Sequence, residues 1–500
     1  MKNRMLGAFA LCAAVFAVNE VGAKGVFEVY NEIDLTNALA NTSGNSDTTI
    51  KIHPGVYDVS DIAMSAGSHL AVATGGVGKR MIYGMGDGPE DVVLAGRGMD
   101  SGSGLRVLTA DGYSMVSNLT ITGGCSGGAG GGVNTSGYGL WNCHIISNSC
   151  IGAGGGSDML TARNCVYIGN RATNGNGGGG RFSSSYKSFN CVFSNNYCTA
   201  LGGGVSLGTH TNAKFYDNTA KGCGGVHSAS VVGGTFIGNR TWSTGGGAAH
   251  GGGGSVTNAY FCDNVSTNAS SGSHSGEVAY DVTFDDCTFE NHIGKDDMFK
   301  GCTFRRCTIR TLRESGVHRD VLNACHFYNS LLVDVEHLYS GGSVGTFATA
   351  SSFDNCTIVG FTNTSTSAGN IMGANCRVVN TIFDALSPVG MASTYTLPMT
   401  NCLWTAQKNT DPPVGSFGGG LVSREALKFT DAQNGDFTLK RSSKARNAGY
   451  QDETYLAAVG PVDLNGDPRV YEGDGPEKAI IDVGCYECQI PAPGLLMLVK

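Results

Sequence analysis

A block of three or more glycines recurs through the middle of the chain, centred on Gly131, Gly155, Gly179 and Gly203 and more weakly on Gly225 and Gly246, at spacings of 24, 24, 24, 22 and 21 residues. A period of that size marks a solenoid, because one coil cannot bury its own apolar face and must stack on its neighbours. A second element keeps step with the first: an aromatic or aliphatic residue followed three positions later by Asn. It reads Ile145 to Asn148, Tyr167 to Asn170, Phe193 to Asn196, Phe215 to Asn218, Phe236 to Asn239 and Phe261 to Asn264. From each of the first five asparagines to the next glycine block the distance is 7, 9, 7, 7 and 7 residues; from glycine block to asparagine it runs 17, 15, 17, 15, 14 and 18. One corner of the coil is therefore nearly fixed, and the opposite side takes the insertions.

The expected fold is all-β: a single-stranded, right-handed parallel β-helix of about 12 to 16 coils, on the order of 60 to 75 Å long at ~4.8 Å per coil. Glycine at 77 of 500 residues is about twice the usual share, while hydrophobic residues hold at 41% and charged residues fall to 15%, which fits neither a collagen triplet nor a disordered tail. The glycines are expected to turn the corner at positive φ. Each Asn is expected to tolerate the left-handed conformation and to hydrogen bond its copies above and below, so Asn148, Asn170, Asn196, Asn218, Asn239 and Asn264 read as a structural ladder.

Residues 1–23 read as a signal peptide. Lys2 and Arg4 make a basic start, Met5 to Val18 is apolar, and Val21, Gly22 and Ala23 form a small-residue cleavage site. The apolar run of about 14 residues is short of the ~20 that span a bilayer, and no later segment is long enough, so no integral span is expected after cleavage. The net charge of -8 and the absence of a long basic run exclude nucleic acid as a partner.

Of the 18 cysteines, Cys12 lies in the leader. Cys143, Cys165, Cys191, Cys287, Cys302, Cys307, Cys325, Cys356, Cys376 and Cys402 mostly follow Asn, Asp or Gly and precede an apolar residue two positions on. Alternation puts both on one face of a strand, so these cysteines are expected inside as small apolar residues. Neighbouring coils hold their Cβ atoms ~4.8 Å apart where a disulfide wants ~3.8 Å, which favours free thiols. Cys485 and Cys488 form a lone CxxC without the second pair or histidines of a zinc site.

In residues 24–124, an N-terminal cap and first coils are expected: Leu35, Ala38 and Leu39 fall at helical spacing, and residues 49–57 alternate with period two before a Pro-Gly turn. With IKIHPGVYDV at 50–59, DVVLAG at 91–96 and VSNLTITGG at 116–124, the chain resembles parallel β-helix proteins of the pectin-lyase-like superfamily. GGGV at 202–205 with FYDN, FIGN and FCDN is similar to the repeats of the polymorphic outer membrane protein family. That resemblance implies secreted or surface-displayed passengers, often adhesins, and hence a cell-exterior or outer-membrane location with a polysaccharide or host-surface ligand. The repeats occupy residues 125–405. At 406–500, DFTLKRSSKARNAG, DLNGDPRV and IIDVGCYE resemble a terminal segment of bacterial β-helices, which implies a cap or anchor-associated module.

Many β-helices cleave polysaccharides, which requires clustered charge on an outer face: a base and often calcium in a lyase, paired carboxylates in a hydrolase. Residues 121–280 hold 11 charged side chains, and residues 281–320 hold 15. Lys300, Arg306 and Arg310 are the catalytic candidates, as outward cations for an anionic sugar; the alternative is a solvated, charge-paired face. No RxPxxR strand or GHG turn of lyases or galacturonases is present. No cofactor is expected beyond calcium, for which Asp463, Asn465, Asp467 and Asp474 fall at positions 1, 3, 5 and 12 of a loop that has Pro468 where such loops want Gly. The leading expectation is a non-catalytic surface scaffold or adhesin, and the alternative is a polysaccharide lyase or other carbohydrate-active enzyme.

Overall fold

The computed structural model describes residues 25–43, 46–65, 67–72, 77–135, 139–242, 247–266, 277–314, 320–338, 346–363, 372–384, 398–405, 417–470 and 479–489. The expected signal peptide, Gly246 and Asp474 lie outside the described residues. The fold is a parallel β-solenoid of about 13 turns. One coil shows the plan. Gly180–Arg181 belongs to ladder A, a separate sheet of twelve strands; Lys187–Phe189, Val192–Ser194 and Tyr197–Leu201 belong to ladders B, C and D, which run together as the large sheet. The helix Glu32–Ala40, N-capped by Asn31 accepting from the Asp34 amide at 2.9 Å, buries Leu35, Ala38 and Leu39 against the first strands.

Strands of ladder C are three residues long in six coils and merge with a neighbouring ladder in others, such as Thr209–Tyr216 and Thr288–Gly294, with the central ladder C side chain inward. The inward column is in register from Ile121 and Ile145 through Tyr167, Phe193, Phe215, Phe236, Phe261 and Phe289 to Ile309, Leu332, Ile358, Phe383 and Trp404. From Tyr167 to Phe289 the rings stack, with centroids 4.8, 5.4, 4.8, 4.4 and 4.4 Å apart. A second stack, Phe284, Phe304, Phe327 and Phe353, continues on ladder B with spacings of 5.2, 4.4 and 5.0 Å. Phe284 joins the two edge-on, at 89° to both Phe261 and Phe289.

The asparagines form a continuous buried ladder. Asn148 Nδ2 donates to Asn170 Oδ1 at 3.1 Å, and the bond repeats from Asn170 to Asn196, Asn196 to Asn218, Asn218 to Asn239 and Asn239 to Asn264 at 3.0, 3.0, 3.0 and 2.9 Å. Each amide also donates backward to the carbonyl of an inward residue one coil earlier, for example Asn196 to Tyr167 at 3.0 Å and Asn218 to Phe193 at 2.9 Å. One side chain thereby ties three coils. The left-handed conformation falls on the residue before it, at Ser147, Gly169, Asn195, Asp217, Gly238 and Asp263, with φ between 52° and 67°. The ladder asparagines do not adopt it, because their amides are occupied inward rather than turning the corner. The glycine blocks divide the work similarly. Gly177 takes φ +75°, and a Cβ on Gly178 would stand 2.4 Å from the Gly203 carbonyl, so the first glycine turns and the next admits the neighbouring backbone.

Between ladders B and C a second left-handed column runs Asn142, Asn164, Asn190, Asn212, Asn258, Asp286, Arg306, Asn329, Asn355, Asn380 and Asn401. The next residue in each coil points inward and is commonly Cys. Its thiol donates to the carbonyl two residues earlier, from Cys143 to Trp141 at 3.3 Å, Cys165 to Arg163 at 3.2 Å and Cys307 to Arg305 at 3.3 Å. Ser330 and Thr381 occupy the same position and make the same bond, at 2.9 and 3.0 Å. All described cysteines are free, and all except Cys125 and Cys262 are buried. Burial pushes the thiols of Cys150, Cys198, Cys223 and Cys402 up to about 12, so they stay protonated and unreactive.

Candidate functional site

The charged stretch at 281–320 is spread over the circumference of the solenoid. Lys300 stands in ladder A between Tyr280 and Asn323, Arg306 occupies the left-handed corner between ladders B and C at φ 49°, and Arg310 lies in ladder C. The expected outward cluster of Lys300, Arg306 and Arg310 is therefore not assembled. Coils offset by one turn set carboxylates against cations instead: Asp285 is in register with Arg305 and Glu290 with Arg310. Arg306 makes a bidentate pair with Asp286 through Nε and Nη2 at 2.7 and 2.9 Å and approaches Asp285 at 3.7 Å. Arg305 lies 4.5 Å from the centroid of the Tyr328 ring, and Arg313 pairs with Glu336 at 3.0 Å. Most of the stretch is a charge-paired flank.

Arg310 differs because of what packs beside it. The described residues between 422 and 489 fold back along the side of the solenoid, covering the outer face of ladder C. Leu427, Phe429, Phe437, Leu439, Ala445, Val483 and Cys485 pack on the outward residues Leu331, Val333, Val359, Ile382 and Leu403. The corner asparagines hold this module by its backbone. Asn380 donates to the Tyr450 carbonyl at 2.8 Å and accepts from its amide at 2.6 Å; Asn401 donates to the Ala448 carbonyl at 3.1 Å; Asn355 accepts from the Tyr455 hydroxyl at 2.6 Å. Asn329 donates to the carbonyls of Val459 and Val462, and its Oδ1 takes Nε and Nη2 of the fully buried Arg469 at 3.0 and 2.7 Å. Arg469 also reaches the Gly484 carbonyl at 3.0 Å and Glu487 at 3.3 Å. The segment resembling a terminal cap thus braces the flank, because the outward positions of these strands are apolar and need cover.

Where the module meets ladder C it leaves a slot of about 480 Å³ lined by Arg310, Val333, Asp334, Val359, Gly360, Arg424 and the turn from Ala432 to Phe437. Arg310 forms no ion pair among the described residues, and its Nη2 donates weakly to the Gly435 carbonyl at 3.5 Å. Asp334 turns the next corner at φ 55°, and Gly360 makes room for it: a Cβ there would stand 2.7 Å from Asp334 Oδ1. Arg424 pairs with buried Asp384 at 2.9 Å, and Thr405 donates to the other oxygen of Asp384 at 2.7 Å. Tyr486 lies near Arg310; burial pushes its phenol well above the ordinary value while the Arg310 charge pulls the other way. A cation, a carboxylate and the amides of Gln433 and Asn434 around one cavity can exchange hydrogen bonds with a hydroxylated ligand and accommodate a single negative charge. Asp334, Arg424 and the adjacent Gln433 and Asn434 come from three places in the chain and form no motif, so the sequence alone does not single them out.

Asp463, the first of the calcium candidates, is engaged otherwise. Asp463 is buried, its Oδ1 accepting from the amides of Asn465 and Asp467 at 2.8 and 2.9 Å and its Oδ2 from that of Glu487 at 2.7 Å. A carboxylate filled by backbone donors closes a turn and does not fit the first position of a cation loop. Among the described residues no group of three or more His, Cys, Asp or Glu side chains is placed to hold a metal.

No family model and no curated protein matches the chain. Among solved structures it is similar to a mannuronic acid specific polysaccharide family 6 lyase from human gut microbiota, at 10% identity and TM-score 0.31, covering 80% of this chain and 92% of that one. It is also similar to pectate lyase Pel9A, at 12% identity and TM-score 0.21 with 94% and 98% covered, and to the catalytic domain of a GH87 alpha-1,3-glucanase, at 12% identity and TM-score 0.31 with 79% and 68% covered.

Proposed function

We propose that this chain is a β-helical scaffold of the cell exterior, secreted or held at the outer surface, that binds a glycan without cleaving it. The slot beside Arg310 carries the reading: a concave cavity with one unpaired cation, one carboxylate and two amides, built where a rigid sheet meets a braced module. Asp334 in the slot and Glu290 one coil away favour a hydroxyl-rich ligand with few charges over the dense polyanion expected from the basic residues alone. Binding to a panel of neutral glucan, alginate and polygalacturonate tests this. Arg310→Ala should weaken the best binder by about tenfold, as expected for losing a hydrogen bond from a charged donor. Binding by no member of the panel overturns the proposal.

A second reading, a polysaccharide lyase, is favoured by Tyr486 beside Arg310. A phenol held protonated by burial can donate to a leaving sugar oxygen while Asp334 takes the proton from the carbon beside the uronate carboxylate and Arg310 pairs with that carboxylate. Unsaturated-product absorbance on the same panel decides between them. Turnover that vanishes in Tyr486→Phe, with binding retained, replaces the scaffold reading by this one.

A further inference from the structure

We infer that a second copy of this chain pairs with the first, side by side and with its coils in reverse order, along the outward column of ladder B. Charge is uneven along the rod. Residues 139–216 hold five cations and one carboxylate, Asp158, which Arg181 already engages at 2.6 and 2.8 Å; residues 217–297 hold nine carboxylates and three cations. The column runs in register Trp141, Arg163, Phe189, Thr211, Val232, Thr257, Asp285 and Arg305. Trp141, Arg163 and Val232 are exposed and the others half-buried.

Arg163 and Arg305 sit in the column alike and differ in counter-charge. Each guanidinium lies against the ring one coil later, Phe189 at 4.2 Å and Tyr328 at 4.5 Å. One coil earlier Arg305 has Asp285, whereas Arg163 has Trp141 at 5.6 Å. Among the described residues the Arg163 guanidinium forms no hydrogen bond or ion pair, and stacking between rings leaves its N–H fork unspent. Asp285 is also underused: it approaches Arg306 only at 3.7 Å, and Arg306 makes its bidentate pair with Asp286.

A two-fold axis across the column between Thr211 and Val232 reverses the coil order and sets each column against itself. Arg163 then meets the partner's Asp285, Trp141 the partner's Arg305, Phe189 the partner's Thr257 and Thr211 the partner's Val232. In the neighbouring corner column Asn142 and Asn164 meet the partner's Arg306 and the partner's Asp286. Sliding one copy by a coil sets Arg163 on the partner's Arg305 in one direction and on the partner's Thr257 in the other, so charge fixes the register. The strip spans about 34 Å at ~4.8 Å per coil and is one ladder wide, which makes a small, reversible interface. It lies apart from the slot, so failure of the pairing and failure of the glycan reading are separate results.

Sedimentation velocity on the full chain across the micromolar range tests the pairing. The parent should associate reversibly to a dimer, and less so at high salt. Arg163→Asp and Asp285→Arg should each weaken self-association at least tenfold, because like charges then face each other twice. An equimolar mixture of the two variants should associate like the parent, since every facing pair is again opposite in sign. Arg171→Asp makes the same change of charge on ladder D, where Arg171 lies 5.4 Å from the centroid of the Tyr197 ring, and should leave association as it was. Circular dichroism identical to the parent's establishes that each variant is folded. A parent that stays monomeric across that range, or a mixture of folded variants that does not associate, overturns the inference.

Discussion

The same corner of the solenoid is bare in the N-terminal coils and clothed in the C-terminal ones. In the first region Asn142 donates to Asn118 at 2.7 Å, Asn190 to Asn164 at 3.2 Å and Asn212 to Asn190 at 3.3 Å, so the exposed amides serve one another. In the second, Asn329, Asn355, Asn380 and Asn401 stand in the same column and hold the backbone and side chains of the module. Backbone geometry selected asparagine in both; the partner was decided one strand away. The middle strands of the bare region bury only their central residue, as in Val192–Ser194, whereas Thr357–Val359 and Ile382–Asp384 are buried on both faces. An amide column is thus neutral toward docking, and apolar outward neighbours make it a docking edge.

The largest effect that separates the two regions is expected from Arg469→Met. It removes the guanidinium that donates to Asn329, Glu487 and the Gly484 carbonyl and leaves these buried acceptors short of a donor, at a cost of about 3 kcal/mol. Limited proteolysis should cut within 425–489 while hydrogen exchange over 116–264 stays as in the parent chain. Equal loss in both regions would show that the module supports the whole rod.

Acid should act on the two regions with opposite sign. His210 and His250, within the glycine-rich coils, are held neutral by burial with values near 4, below the ordinary 6.5. The unfolded chain takes up protons below about 6.5 that the folded coils refuse until about 4, so stability there falls as pH drops through that window, by on the order of 1 to 3 kcal/mol. In the clothed region burial raises the carboxyl of Asp354 to about 6 although Arg377 opposes it, and it raises Asp463 and Asp482 as well. Those groups contribute stability that is present below about 3.8 and lost as pH rises through 6 for Asp354. Hydrogen exchange at pH 4.5 and 6.5, corrected for intrinsic rates, should show the bare coils loosening in acid and the clothed coils tightening; parallel changes would refute the contrast.

The smallest effect should come from Cys165→Ser, within about 1 kcal/mol by urea titration, because a hydroxyl can donate to the Arg163 carbonyl as Ser330 does to that of Tyr328. A loss like that of an ordinary core cysteine would mean that packing, and not the shared bond, fixes the column.

The winding was legible because glycine and asparagine recur at fixed distances, and the helix over the first strands because Leu35, Ala38 and Leu39 share a face. The direction of the laddered asparagines was only half legible: their mutual bonds follow from the period, whereas the left-handed residue before each, as different as Ser147, Gly169 and Asp217, carries no common letter. The dispersal of Lys300, Arg306 and Arg310 was hidden, since a coil of about 20 residues carries near neighbours in sequence onto different faces. The module's seat did leave a trace. Leu331, Leu332 and Val333 are consecutive apolar residues where the bare strands alternate, which is how a strand buried on both faces reads. Nothing local linked that strand to Arg424 or Asn434 nearly a hundred residues later, so the slot itself needed the fold.

The edge-on meeting of Phe284 with Phe261 and Phe289 sets a boundary on how such a rod can change length. Within the run from Tyr167 to Phe261 every coil presents the same ring to the one above and below, so a copied coil would find a matching seat on both sides. The same holds from Phe304 to Phe353. The coil that joins them carries a ring in each ladder, Phe284 in B and Phe289 in C, so it alone meets a ladder C ring on one side and a ladder B ring on the other. The rod is therefore two extendable segments spliced by one unique part, and gains or losses of coils on the bare side would leave the distance from splice to slot unchanged.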